Sequence, residues 1–146
     1  MSITEREYLF ERLEDQINWY DKKSSDCQKK YKRLKWVEIG SAAAIPILSG
    51  FSSNLQVIAV IISLLGASIA IIESLLSLGK YHENWIEYRG ISETLKQEKY
   101  MYLTRAGVYK ISEPFELLVE RIESIISKEN INWANLNSKK QGEDKK

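Results

Sequence analysis

Histidine and cysteine are nearly missing from this chain: each occurs once in 146 residues, as His82 and Cys27. One cysteine excludes an intrachain disulfide and a cysteine metal site, and suits a reducing compartment. Cys27 reads as a small packing residue. His82, in Tyr81-His82-Glu83-Asn84-Trp85, has no second ligand at metal spacing and reads as an interfacial or packing histidine. Proline occurs twice, and no glycine or proline precedes Gly40, so nothing early in the chain breaks a helix. There is no glycine-rich phosphate loop, nucleophile elbow or nucleophile–base set. The expectation is therefore no enzyme, no catalytic residue, no metal and no cofactor, with lipid chemistry disfavoured on the same ground. The opening residues, MSITEREYLF, lack the basic start and apolar core of a signal peptide.

An excess of one charge is also lacking: the net charge is +1, which excludes a global field for nucleic acid. The local distribution is uneven. Charged residues make up 28% of the chain and mean hydropathy is −0.33, yet between Val37 and Leu78 the only charges are Glu38 and Glu73. Two apolar segments, Val37–Phe51 and Leu55–Leu78, flank the turn-rich Gly50-Phe51-Ser52-Ser53-Asn54. The second exceeds the roughly 20 residues that cross a bilayer core; the first is marginal. Pro46 is tolerable in a membrane helix, where neighbours satisfy the freed carbonyl. The pattern predicts a helical hairpin crossing a membrane twice; a buried hairpin in a soluble bundle is the alternative.

Lys22, Lys23, Lys29, Lys30, Lys32, Arg33 and Lys35 precede the first segment, Lys80 and Arg89 follow the second, and the turn is uncharged. The positive-inside rule puts both termini in the cytoplasm of a multi-pass membrane protein and the turn outside. The expected fold is all-α, an oligomeric bundle. It comprises a coiled-coil-like helix over residues 1–36, the transmembrane hairpin over 37–78, a cytoplasmic helical region over 79–137, and a disordered tail over 138–146. Heptad spacing aligns Ile3, Phe10, Ile17, Ser24 and Tyr31 with Leu13, Tyr20, Cys27 and Leu34. Continued, this seam passes through Glu38, Ser41, Ile45 and Leu48. In the C-terminal arm one helix is predicted from Lys80 to Ala106, stopping near Gly107. Another starts at Ser112-Glu113-Pro114, with Phe115, Leu118, Val119, Ile122, Ile125, Ile126 and Trp133 as its apolar stripe.

Intramembrane carboxylates are costly and face a bundle interior or water. Repeated around an oligomer, Glu38 and Glu73 would form rings that favour cations. The plainer reading is that each snorkels to the interface beside Lys35 and Lys80. Ser63, Gly66, Ala67, Ala70, Ser74 and Ser77 recur every three or four positions, a stripe that permits close helix packing or lines a narrow wet path. Glu38, Ser41, Glu73 and Ser63 are thus the pore or gate candidates. Two helices enclose no pore alone, so a channel needs several copies; a tetramer is the expected number. The basic cluster Lys22, Lys23, Lys29, Lys30, Arg33 and Lys35, with Trp36, suits anionic lipid headgroups or an anionic ligand such as a nucleotide or oligonucleotide.

Two motifs carry a resemblance. Tyr8-Leu9 and Asp15-Gln16-Ile17-Asn18-Trp19-Tyr20-Asp21-Lys22-Lys23-Ser24 form the first. Lys80-Tyr81-His82-Glu83-Asn84-Trp85, Tyr88-Arg89 and Glu93-Thr94-Leu95-Lys96-Gln97-Glu98 form the second. In order and spacing, around the same hairpin, they resemble the two-transmembrane SLATT effectors, also labelled DUF4231. The resemblance implies a bacterial antiphage membrane effector that opens as a pore, depolarises the membrane and arrests growth. It also implies a nucleotidyltransferase partner and control by a nucleotide or oligonucleotide. Carried over, Trp19, Tyr20, Trp85, Tyr88, Arg89, Glu93 and Glu98 are signature residues with structural roles, Arg89 and Glu93 being spaced to pair on a helix. A non-conducting anchor that recruits a cytoplasmic partner is the competing expectation.

Overall fold

The computed structural model describes residues 4–50 and 56–143, with side chains as far as residue 128. Every regular element among these residues is a helix. Helix α1 (Glu5–Glu7) is closed by a capping box, Thr4 and Glu7 satisfying each other's backbone N–H groups. A π-helical stretch (Tyr8–Leu13) leads into α2 (Glu14–Ser49). Then come α3 (Gln56–Gly79), α4 (Tyr81–Leu103), a short 3₁₀ turn (Gly107–Tyr109) and α5 (Pro114–Glu143). The chain divides into two compact units, residues 1–21 with 89–146, and residues 22–88.

The first unit has its core at Tyr8, Leu13, Ile17, Tyr20, Leu95, Tyr102, Tyr109, Leu118, Ile122 and Ile126, all buried. On α5 this is the predicted stripe, with Phe115, Val119 and Ile125 half-buried beside it. Pro114 is the first helical residue, where its missing N–H costs nothing. Trp133 lies beyond the described side chains. The α4–α5 turn uses left-handed backbone at Arg105 (φ 51°) and Gly107 (φ 59°), and α4 stops at Leu103 rather than Ala106.

The seam needs one correction. Phe10 was placed on it, but its side chain is 66% exposed, while Tyr8 and Leu13 are buried. The cause is the π stretch: Glu14 N–H donates to Leu9 O, five residues back, so the wider turn rotates the preceding face. Ile3 falls outside the described residues. A second difference lies at the C-terminus. Helix α5 runs to Glu143, through most of the segment read as a disordered tail. No proline or glycine interrupts residues 115–141, and Lys and Gln are good helix formers, so nothing there forces a stop.

In the second unit α2 is one helix through Lys35–Gly40, and Pro46 lies inside it. The predicted seam, Ser24, Cys27, Tyr31, Leu34, Glu38, Ser41, Ile45 and Leu48, is among its less exposed positions, with Ser25, Gln28, Lys35 and Ala44 beside it. Helix α3 answers with Ile58, Ile62, Leu65, Ile69, Ile72 and Leu76 at the same heptad spacing. Helix α3 is 24 residues long and is the one described helix apolar and long enough to cross a membrane. The turn residues 51–55 lie outside the described residues. At the other end Gly79 and Lys80 join α3 to α4, Lys80 taking the left-handed conformation (φ 45°). A Cβ at Gly79 would lie 2.5 Å from the Tyr81 ring, so any larger residue here must displace that ring.

Candidate functional site

The apolar part of the second unit begins where three charges meet. Lys35 Nζ lies 3.0 Å from Glu38 Oε2 on its own helix and 3.4 Å from Glu73 Oε2 on α3. It donates hydrogen bonds to Glu38 Oε1 (3.2 Å) and to Glu73. Glu38 Oε2 is fully buried and, although close to the ammonium, accepts no well-aligned hydrogen bond. Its pairing is therefore Coulombic, and its lone pairs remain under-used. The Glu38 side chain is 18% exposed and that of Glu73 61% exposed. The two carboxylates of the apolar stretch are thus brought to one lysine, with Glu38 inside the seam and Glu73 outside it.

Ser41 stands one turn beyond Glu38 on the same half-buried seam. Ser63 is exposed, as are Gly66, Ala67, Ala70, Ser74 and Ser77, so the small-residue stripe takes no part in packing within this unit. Two of its three hydroxyls are occupied: Ser63 donates to Ala59 O (2.9 Å) and Ser74 to Ala70 O (2.8 Å). Such back-bonding satisfies a hydroxyl without water and suits an apolar surrounding. Ala70, Glu73, Ser74, Ser77 and Leu78 line a shallow open groove at the charged end of α3.

The basic candidates Lys22, Lys23, Lys29, Lys30 and Arg33 are exposed on α2, and Trp36 is 73% exposed. Lys22, Lys29 and Arg33 fall within one narrow sector of the helix, away from the seam. The neighbouring rings are partly occupied. Tyr31 packs on His82 (4.9 Å), and His82 meets Trp85 edge-on (5.7 Å). Lys30 sits over Tyr81 (5.8 Å) and Lys32 over Trp85 (5.7 Å). Ser24 donates to the Trp85 carbonyl. Burial lifts the Cys27 thiol pKa above its ordinary value. Among the described residues no group of three His, Cys, Asp or Glu could hold a metal.

In the first unit the signature residues join a polar network. Arg89 pairs with Glu93 at 2.7 Å and with Asp21 at 3.4 Å. Asp21 also accepts from Ser92 Oγ (2.7 Å) and Lys96 Nζ (2.6 Å). Burial alone would raise the Asp21 pKa, but the bonds from Lys96 and Ser92 and the charges of Lys96 and Arg89 hold it below the usual carboxylate value. Glu98 is 6% exposed and accepts from both Arg121 and the Tyr109 hydroxyl. Arg121 holds its carboxyl below the usual range, and burial with Glu98 as acceptor pushes the Tyr109 phenol up. Trp19 meets Tyr20 edge-on at 4.9 Å and Tyr20 is buried; Tyr88, a residue of the second unit, is half-buried.

Sequence reasoning missed Asp21 as the hub, and the pairs Arg12–Glu123, Lys99–Glu14 and Arg121–Glu98. Each joins residues distant in the chain, so helix spacing carries no signal for it. Only the uncommon charge at an apolar-stripe position could have marked Glu98, which follows Leu95 by three and precedes Tyr102 by four.

Among the described residues these features define an all-helical protein with one helix both long and apolar enough to cross a membrane, and with ion-paired helical arms. The chain belongs to the family described as "protein of unknown function (DUF4231)", which matches residues 15–116. No curated protein and no solved structure matches it.

Proposed function

We propose that this protein is an oligomeric pore-forming membrane effector of bacterial antiphage defence. Its hairpin, residues 37–78, spans the inner membrane twice with both arms in the cytoplasm. Opening depolarises the membrane and arrests growth. One observation carries the membrane part of this reading: only 6% of the most apolar 18-residue stretch of the spanning helix is buried. A core helix of a soluble bundle would be mostly covered, so this surface calls for lipid or for other copies. The resemblance to SLATT effectors supplies the defence role and the nucleotide or oligonucleotide control, delivered by a nucleotidyltransferase partner.

The Lys35–Glu38–Glu73 cluster supplies the chemistry of a pore mouth. Repeated around an assembly, a tetramer in this reading, it places carboxylates at one level where cations gather. Expression without the controlling signal depolarises cells and slows growth, read with a potential-sensitive dye. Normal potential and growth at high membrane levels of the protein contradict the proposal. In a reconstituted channel Glu38→Gln lowers cation preference; unchanged selectivity removes Glu38 from the mechanism.

A second reading, a non-conducting anchor, has its own support. Ser63, Ser68 and Ser74 spend their hydroxyls on their own helix and leave little to line a wet path. An anchor is electrically silent in bilayers, which separates the two.

A further inference from the structure

Residues 27–37, Cys-Gln-Lys-Lys-Tyr-Lys-Arg-Leu-Lys-Trp-Val, hold five basic residues and no acid. Lys35 is engaged with Glu38 and Glu73. The other four, Lys29, Lys30, Lys32 and Arg33, are exposed. Their helix is unbroken to Ser49, so their heights above the first apolar residue, Val37, follow from the helical rise. Arg33 stands about 6 Å above Val37, Lys32 about 8 Å, Lys30 about 11 Å and Lys29 about 12 Å. Lys22 and Lys23 stand about 21–23 Å above it. A headgroup layer is about 5–7 Å deep, and screening at physiological salt adds about 8 Å. The four nearer cations fall inside this reach and the two farther ones outside it.

The surrounding groups fit a headgroup layer. Lys30 and Lys32 rest on Tyr81 and Trp85, which leaves their charge intact and holds the ammonium groups beside amphipathic rings. Trp36, 73% exposed, stands at the level where tryptophan favours a membrane interface. Of the exposed acids nearby, Asp26 stands one turn before Lys29 and Lys30 on α2, and Glu83 on α4 is itself 3.9 Å from Lys80. The cluster therefore has two parts with different partners.

We infer that Lys29, Lys30, Lys32 and Arg33 form a binding surface for anionic phospholipid headgroups of the leaflet facing the two arms, and that Lys22 and Lys23 lie outside it. The inference rests on the membrane insertion proposed above. Each of the four cations removed weakens anionic-lipid preference by about fivefold.

The test uses the full chain extracted and purified from mixed vesicles of equal phosphatidylglycerol and phosphatidylcholine, with retained lipid counted by mass spectrometry. The wild type retains phosphatidylglycerol preferentially. K29Q/K32Q/R33Q loses that preference, and K22Q/K23Q keeps it. Equal retention of both lipids by the wild type overturns the inference, as does an equal loss in K22Q/K23Q. So does a loss of oligonucleotide binding by K29Q/K32Q/R33Q with its lipid preference intact. Alkaline-carbonate washing of the vesicles beforehand separates the two levels. Protein that washes off overturns membrane insertion as well, whereas protein that stays but shows no lipid preference overturns only the headgroup surface.

Discussion

Lys35 on α2 reaches Glu73 on α3 across 38 positions of sequence, at 3.4 Å, while also pairing with Glu38. One cation thus serves two carboxylates at the edge of the apolar stretch. Removing it leaves both acids without their partner where the apolar stretch begins and an unpaired charge is costly. Lys35→Met is expected to increase depolarisation at equal membrane abundance, because the carboxylates then face permeant cations uncompensated. Lys35→Arg keeps the charge and is expected to behave as wild type. A potential-sensitive dye with matched immunoblots reads both variants; a Met variant weaker than wild type removes the cluster from the pore mouth.

Glu98 is expected to be the most sensitive position of the first unit. Glu98→Ala strands the Arg121 guanidinium and the Tyr109 hydroxyl and costs about 2–3 kcal/mol, moderated because Arg121 is partly exposed. Tyr109→Phe removes one hydrogen bond to a charged group and costs about 1.5 kcal/mol. Denaturant unfolding in detergent, followed by helical circular dichroism, checks the order. Equal effects of the two substitutions contradict it.

Acid is expected to loosen this unit first. Arg12 holds the Glu123 carboxyl below its usual value, as Arg121 does for Glu98, and Asp21 is lowered as well. A depressed folded pKa means that the unfolded chain binds the proton more readily. The stabilisation is therefore complete above the ordinary carboxylate pKa, about 4, and disappears as pH falls through the folded values. In alkali the sign reverses. Burial and its bond to Glu5 push the Tyr102 phenol up to about 12, so stability falls as pH rises from about 10 through that value. Melting temperatures from pH 3 to 12 should form a plateau bounded on both sides; a maximum near pH 4 contradicts the assignment.

The α3–α4 junction separates two residue types. Gly79→Ala forces the Tyr81 ring aside and is expected to cost about 1–3 kcal/mol. Lys80→Gly relieves a left-handed lysine and is expected to be neutral or stabilising by up to about 1 kcal/mol. Thermal melts in detergent should fall for Gly79→Ala and stay level or rise for Lys80→Gly.

The helices were legible because their causes are local. Apolar periodicity marked the α5 stripe, Pro114 its start, and the heptad count led from Ser24 to Leu48 through Glu38. The π stretch was not legible: the extra residue between Tyr8 and Leu13 follows from what the turn packs against, and heptad counting assumes an unbroken register. That is why Phe10 was misplaced. Of the site, the sequence offered Glu38 and Glu73 as oddities in an uncharged run but not their shared lysine. Asp21 looked like one more surface acid, since Ser92 and Lys96 approach it from another helix.

Conductance of the purified chain in a planar bilayer decides between pore and anchor. Discrete cation-selective current steps, shifted toward non-selectivity in Glu38→Gln, are the predicted result. Electrical silence from protein shown to have inserted, over a range of lipid compositions and protein densities, would contradict it.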